Sequence, residues 1–384
     1  MKRVKWRTRR PRGSRVWTRL WLIGFISGLL MVILVRGTMH MLDRNPEVKE
    51  ENGQTGFDLV ESSPVQKIPE KTERQSVDRN DKKASQEASK ETHEERLSEY
   101  DRLWVRVYLA EEKRVEKMPI ELYVRGVIAG EMPIDFELEA LKAQAIAART
   151  YIYRRLQSAD RSDMPSEAQG AEVVNTVQNQ VYIPLGALLD RWSGQAKEEN
   201  LKKLNEAVEQ TKGQIITYEG EPIEAAFFST SNGYTENASD YWEVDLPYLR
   251  SVTSPWDKEI SPRYQETTAM KLSTFSSKLG VKENAARQMR IIDTTEGRRI
   301  KTVAIGKDMF SGREIREKLG LASSQFTWSI KGDEITITTY GYGHGVGMSQ
   351  WGANGMAQEG QSAEQIVTHY YTGTKVQQAA GLLD

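Results

Sequence analysis

The first 36 residues constrain this chain more than any other stretch. Lys2, Arg3, Lys5, Arg7, Arg9, Arg10, Arg12, Arg15 and Arg19 place nine cations and no acid within residues 1–19, and an apolar run from Leu20 to Val35 follows directly. A helix flanked by so many charges cannot sit inside a protein core, because burying unpaired cations costs far more than the apolar run returns. The run is short against the roughly 20 residues that cross a bilayer. Val16 and Trp17 extend it, and Arg19 and Arg36 can reach the two interfaces with their charged ends. The expectation is one membrane-spanning anchor at 20–36, with the basic tail 1–19 held in the cytoplasm and everything beyond Arg36 outside the membrane. A cleaved signal peptide is the rival reading, but Arg36-Gly37-Thr38-Met39-His40-Met41 makes a poor cleavage site.

After the anchor, residues 37–98 are rich in Glu, Lys, Ser, Gln and Asp and keep no period for long, which reads as a largely disordered polar tether. A globular region is expected over 99–376, followed by a short tail, 377–384. Across the 384 residues, 53 Lys+Arg oppose 54 Asp+Glu, so no net field favours nucleic acid and no such partner is expected. Cysteine is absent, which excludes disulfides and thiolate metal sites and leaves His40, His93, His344 and His369 as the imidazoles.

Within the globular region Trp104–Leu109 alternates as a strand does. Pro119 opens a helix over 120–130, which Met132-Pro133 ends. A second helix is expected from about Asp135 to Arg155, where Leu138, Leu141, Ala145, Ala148 and Ile152 recur at steps of three and four, the spacing of one buried face. Strand signals mark 214–218, 225–229, 300–305 and 334–340. Capping boxes at Ser311…Glu314 and Ser362…Gln365 start helices over 315–319 and 366–371. The fold class is α+β, with mixed helices and antiparallel sheet and no repeat.

Four segments carry the residues suited to chemistry. Glu131 closes the first helix, straight after Gly130 and two residues before Pro133. A carboxylate at the negative end of a helix dipole, among apolar neighbours such as Ile128 and Met132, has its pKa pushed up, as a general acid requires. The bland reading is a surface glutamate closing a turn. Gln144, Arg149 and Tyr151 follow on the second helix and are candidates to line the same cleft, with a surface pairing as the alternative for Arg149. Phe228 to Glu236 packs Ser229, Ser231, Gly233 and Glu236 around an Asn-Gly turn, offering sugars donors and acceptors or forming an ordinary β-turn. Tyr340 to Gly352 has glycine at every other position from Gly341 to Gly347, which lets backbone approach a ligand closely. Met348 stands where a third dinucleotide-fingerprint glycine would fall, so phosphate binding is disfavoured. His344 reads equally as a ligand contact or a turn residue, and Tyr340, Tyr342 and Trp351 as sugar-stacking or packing aromatics.

Taken together, Glu121–Pro133, Ala140–Tyr151 and Gly343–Gly352, with Ser229–Glu236, Leu246–Leu249, Ser311–Arg316 and Leu319–Leu321, closely resemble the stage II sporulation protein D family, and the match extends over nearly all of Leu103–Thr374. The resemblance implies a two-lobed extracytoplasmic domain with a glycan-binding cleft. It implies a lytic transglycosylase that cleaves the β-1,4 bond between N-acetylmuramic acid and N-acetylglucosamine in peptide-stripped strands during forespore engulfment. Glu131 would be catalytic, and Gln144, Arg149, Tyr151, Ser229, Ser231, Gly233, Glu236, His344, Ser349 and Gln350 the substrate-binding set. Implied partners are peptidoglycan glycan strands, the sporulation amidase stage II sporulation protein P and the multi-pass membrane protein stage II sporulation protein M. The place of work is the space between mother cell and forespore membranes. Some members carry cysteine and histidine where this chain reads Val174 to Tyr182, where they can hold zinc; none of these nine residues is either, so no zinc and no other cofactor is expected. The alternatives are a non-catalytic glycan-binding activator of a wall amidase and a tethered scaffold.

Overall fold

The computed structural model describes residues 100–382 apart from Gln169 and Glu243, so the expected basic tail, anchor and tether lie outside the described residues. The chain opens with an antiparallel hairpin, β1 (Trp104–Leu109) and β2 (Arg114–Pro119), in register from Trp104↔Pro119 to Leu109↔Arg114. Helix α1 (Ile120–Glu131) starts directly on Pro119 and stops at Met132, which turns extended ahead of Pro133. Helix α2 (Leu138–Ser158) begins three residues later than Asp135. The intervening residues close a turn, Phe136 N–H to the Pro133 carbonyl, and the Glu137 N–H is taken by the Asn354 side chain at 2.8 Å.

Helix α2 is also buried nearly all round rather than on one face: Ala140, Ala143, Ile146, Ala147 and Tyr153 join Leu141, Ala145, Ala148 and Ile152 in the core. Its alanines make this possible, since they let neighbouring elements approach from every side. Short β3 (Val173–Val174) lies parallel to β1, giving the order β2-β1-β3. Helices α3 (Leu185–Arg191) and α4 (Gly194–Gln210) lead to β4 (Gln214–Tyr218), which pairs with β5 (Glu221–Pro222). Of the strand expected over 225–229, only β6 (Phe227–Phe228) is paired as strand, because its partner strand is just as short. Helices α5 (Ala238–Trp242) and α6 (Asp257–Ile260) follow.

A second hydrophobic cluster then forms from β7 (Gln265–Lys271), α7 (Leu272–Leu279), α8 (Glu283–Ala286), β8 (Met289–Thr294), β9 (Ile300–Ile305), β10 (Asp308–Ser311), α9 (Gly312–Leu319), β11 (Phe326–Lys331) and β12 (Glu334–Tyr340). Its antiparallel sheets run β10-β9-β8 and β11-β12-β7 around Leu272, Phe275, Val303, Ile315 and Ile337. The chain returns to the first cluster with β13 (Met348–Ser349), parallel to β6, then α10 (Gln350–Gln358), α11 (Ala363–Tyr370) and β14 (Lys375–Gln378), antiparallel to β4. The expected tail is therefore ordered through 382 in part: Gln377 and Gln378 pair with β4, and Ala379 and Ala380 are buried. Ser362 and Gln365 form the reciprocal capping box of α11, and Ser311 accepts the Glu314 N–H to start α9. The class is mixed α+β with antiparallel sheets. Among the described residues, no helix is long and apolar enough to cross a membrane.

Candidate active site

Two glycines one turn apart on α1 decide what surrounds Glu131. A side chain at Gly126 would meet the Tyr182 ring at 2.3 Å, and one at Gly130 the Val181 carbonyl at 2.5 Å. Residues 179–183 therefore lie as a strap directly on the helix, and the Ile183 N–H donates to the Gly126 carbonyl at 3.1 Å. This close approach aims the Val181 N–H at Glu131 Oε1, 2.6 Å away. From the other side Ser349 caps α10 by accepting the Gly352 N–H, and the first helical residue, Gln350, points its amide nitrogen at Glu131 Oε2 at 3.5 Å. Trp351 is packed edge-on against Phe136 at 4.7 Å between centroids.

Burial pushes the Glu131 carboxyl up to about 7, while the Val181 N–H and the Gln350 amide favour the anion and hold it back. No cation or second carboxylate contributes among the described residues. A carboxyl balanced near neutrality can donate a proton and take one back.

The other residues of α2 divide. Tyr151 accepts a hydrogen bond from the Asn179 amide at 2.9 Å and so touches the strap. Gln144 is fully buried with neither amide atom hydrogen-bonded. Arg149 corrects the expectation of a cleft-facing cation: it is wholly buried, forked onto both oxygens of Glu121 at 3.0 and 2.7 Å and bonded to the Gln214 carbonyl at 3.1 Å. It joins α1, α2 and β4 and has no surface from which to meet a glycan.

The serine and glycine segments form a separate assembly around Asp257, which sequence reasoning missed. Asp257 accepts the Ser231 N–H (2.7 Å), the Ser231 hydroxyl (2.8 Å), the Ser254 hydroxyl (2.7 Å) and the Ser349 hydroxyl. Ser231 and Ser349 are thus committed to a buried carboxylate, a correction to their reading as sugar contacts. Ser229 is partly exposed and its carbonyl accepts the Trp351 N–H at 3.1 Å. Gly233 stands in the turn at φ +104° with open space where a side chain would go. Glu236, 1% exposed, accepts the Thr295 hydroxyl at 2.6 Å and lies 3.8 Å from the equally buried Arg299. It too is structural.

The alternating glycines approach protein, not open space. Gly341, Gly343, Gly345 and Gly347 all have positive φ, and side chains there would strike the Thr230 carbonyl, Phe228, the Arg299 guanidinium and the Ala226 carbonyl. His344 accepts the Val346 N–H on Nδ1 at 3.1 Å, bonds to the Phe227 backbone and is ringed by Phe228, Tyr241 and Trp242. Burial, with Arg316 and Arg299 nearby, pulls its pKa down to about 3, so it is a neutral brace.

The profile described as stage II sporulation protein (SpoIID) matches residues 108–218, which contain α1, Glu131, the strap and α2. The chain is 48% identical over 279 residues to stage II sporulation protein D of Bacillus subtilis (strain 168), covering 72% of this chain and 80% of the relative. The chain belongs to the stage II sporulation protein D family. The counterpart of the same name from Bacillus amyloliquefaciens is 49% identical over 280 residues, with 73% and 80% covered. A protein named amidase enhancer, from Bacillus subtilis (strain 168), is 33% identical over 305 residues, 65% of this chain and 40% of the relative.

The stretch Val174 to Tyr182, which relates to zinc in some members, does not suit that ion here. It holds no cysteine, histidine or carboxylate, and three of its amides serve the fold: Asn175 accepts the Ala110 N–H, Asn179 accepts the Val174 N–H, and Gln178 donates to the Asp163 carbonyl. The strap itself is the main functional element missed from sequence. Its signal was the Gly126–Gly130 spacing, which announces a close backbone approach to α1.

Proposed function

We propose that the chain is a lytic transglycosylase that cleaves the N-acetylmuramic acid β-1,4 N-acetylglucosamine bond of peptide-stripped peptidoglycan strands and leaves 1,6-anhydro ends. The observation that carries this reading is Glu131, a half-buried residue whose single carboxyl is poised at about 7 and held by an N–H and an amide with no carboxylate partner contributing. Hydrolysis normally needs a second carboxylate for water or for a covalent intermediate. Attack by the muramic 6-hydroxyl on its own C1 needs neither. Protonated Glu131 donates to the departing glycosidic oxygen, and its carboxylate then receives the proton of the 6-hydroxyl as the new ring closes. The Val181 N–H and the Gln350 amide stabilise the carboxylate between the two transfers.

In this reading the glycan runs past Glu131 through a cleft in a two-lobed domain, and residues 20–36 anchor the chain with its catalytic part outside the cytoplasmic membrane. The work is forespore engulfment, alongside stage II sporulation proteins P and M. A second reading, a non-catalytic glycan-binding activator of a wall amidase, draws support from the relative named amidase enhancer. Incubating the purified chain and its Glu131→Gln variant with peptide-free glycan strands, and identifying the products by mass, separates the two. Anhydro ends from the parent alone support the enzyme; no cleavage by either, with glycan still bound, overturns it in favour of the activator.

A further inference from the structure

Every residue of the strap is tied to one of the two helices beneath it. Asn179 Nδ2 donates to the Tyr151 hydroxyl of α2 at 2.9 Å and to Asp163 Oδ2 at 3.2 Å. Gln180, 2% exposed, accepts the Tyr123 hydroxyl of α1 at 2.9 Å. Val181 donates to Glu131, Tyr182 stacks on Tyr123 at 5.6 Å, and Ile183 donates to Gly126. Beyond Asn179 the chain turns back at once: the Asn179 N–H donates to the Thr176 carbonyl at 3.1 Å and its Oδ1 accepts the Val174 N–H at 2.9 Å. The tip of that turn, Val177, is 91% exposed, and next to it Gln178 Nε2 donates to the Asp163 carbonyl at 2.6 Å. The Asn179 amide both closes the turn and fastens it to α2, two residues before the N–H that touches the carboxyl.

We infer that Asn179 is a positioning residue for Glu131: by clamping the strap to Tyr151 it holds the Val181 N–H against Oε1 and sets how readily the carboxyl gives up its proton. The inference rests on the reading of Glu131 as acid/base only for its effect on rate. Other titratable groups in this neighbourhood are Tyr123 on α1, Tyr151 and Arg155 on α2, Asp163, which pairs with Arg155 and accepts from Asn179, and Tyr182 on the strap; Gln350 approaches from α10 without charge. Of these only Gln350 joins the Val181 N–H in stabilising the Glu131 anion. Loosening the strap removes the stronger of the two bonds, the one at 2.6 Å.

The test is carboxyl titration of the full chain labelled with 13C-glutamate, the Glu131 signal being assigned by its loss in Glu131→Gln. Asn179→Ala is expected to raise the Glu131 pKa by about one unit, a tenfold change in proton affinity. Tyr151→Phe, which removes only the acceptor of the clamp, shifts it the same way by less and serves if the first variant does not fold. Glu131 titration unchanged in the folded variants overturns the inference. The pH profile of glycan cleavage should move with the carboxyl. A shifted carboxyl in a chain that cleaves nothing supports the clamp and defeats the enzyme reading, whereas Glu131-dependent cleavage with an unshifted carboxyl keeps the enzyme and defeats the clamp.

Discussion

Glu131 and Glu236 are both glutamates whose carboxyls burial pushes upward, and their surroundings differ. Around Glu236 the chain supplies a threonine hydroxyl, the Asn237 N–H and an arginine, and it buries the glutamate and the arginine. Around Glu131 it supplies one N–H and one distant amide, no cation, and a partly open side. A desolvated carboxyl is therefore not by itself a catalytic one. What separates them is compensation: Glu236 has a buried arginine beside it that offsets part of its desolvation, whereas no cation contributes at Glu131, which is left close to balance between its two protonation states.

The two residues should exchange phenotypes when each loses its charge. Glu131→Gln is expected to lower glycan cleavage by about 10²–10⁴-fold, the usual worth of a positioned acid/base, in a chain that unfolds no more easily than the parent at neutral pH. Glu236→Gln is expected to do the reverse. It strands Arg299 without its counter-charge and should cost roughly 3 kcal/mol or more in denaturant unfolding, with cleavage per folded molecule retained. Cleavage lost in Glu236→Gln at full stability would break the comparison, because it would place Glu236 among the groups that act on substrate.

Sequence legibility divides along the same line. The end of α1 at Met132-Pro133, the capping box of α11 and the strand β12 are encoded by neighbours within four residues, and each is found where its signal stands. Glu131 was legible for the same reason: helix end, glycine and proline are adjacent. Asp257 was not, since its three serine partners stand 3 to 92 positions away and no local pattern in Trp256-Asp257-Lys258 announces them. Arg149 misled because helical spacing says which residues share a face but not what covers that face. Its position one turn beyond Ala145 looked free until Glu121 and β4 were placed against it. The glycines of 341–347 were legible as sites of close approach, but what they approach, the Thr230 and Ala226 carbonyls, Phe228 and Arg299, was not, because spacing does not name the partner.

A smaller effect sharpens the comparison through pH. The folded Glu131 pKa, about 7, lies above its unfolded value near 4.5, so between those limits the folded chain binds more protons than the unfolded one. The residue's contribution is fully present below about 4.5 and is lost as pH rises toward 7. Glu131→Gln cannot lose it. The stability of the variant relative to the parent should therefore climb across this window by about 3 kcal/mol and level off above pH 7. A difference flat with pH would mean that the carboxyl is not desolvated, and the contrast with Glu236 would rest on Arg299 alone.

The smallest effect belongs to His344 and has the opposite sign. Its folded pKa, about 3, lies below its unfolded value near 6.5, so the unfolded chain binds the extra proton and stability is lost as pH falls below 6.5. His344→Asn keeps an acceptor for the Val346 N–H and cannot titrate. From pH 6.5 down to 5 the parent should lose up to about 1 kcal/mol per pH unit that the variant does not, whatever offset the substitution itself introduces. Because Glu131 stabilises the parent over the same interval as pH falls, the two slopes oppose each other in the unmodified chain and emerge only in the two variants. A parent slope that His344→Asn leaves untouched would show that the imidazole is open to protonation, and would return it to the residues able to meet a ligand.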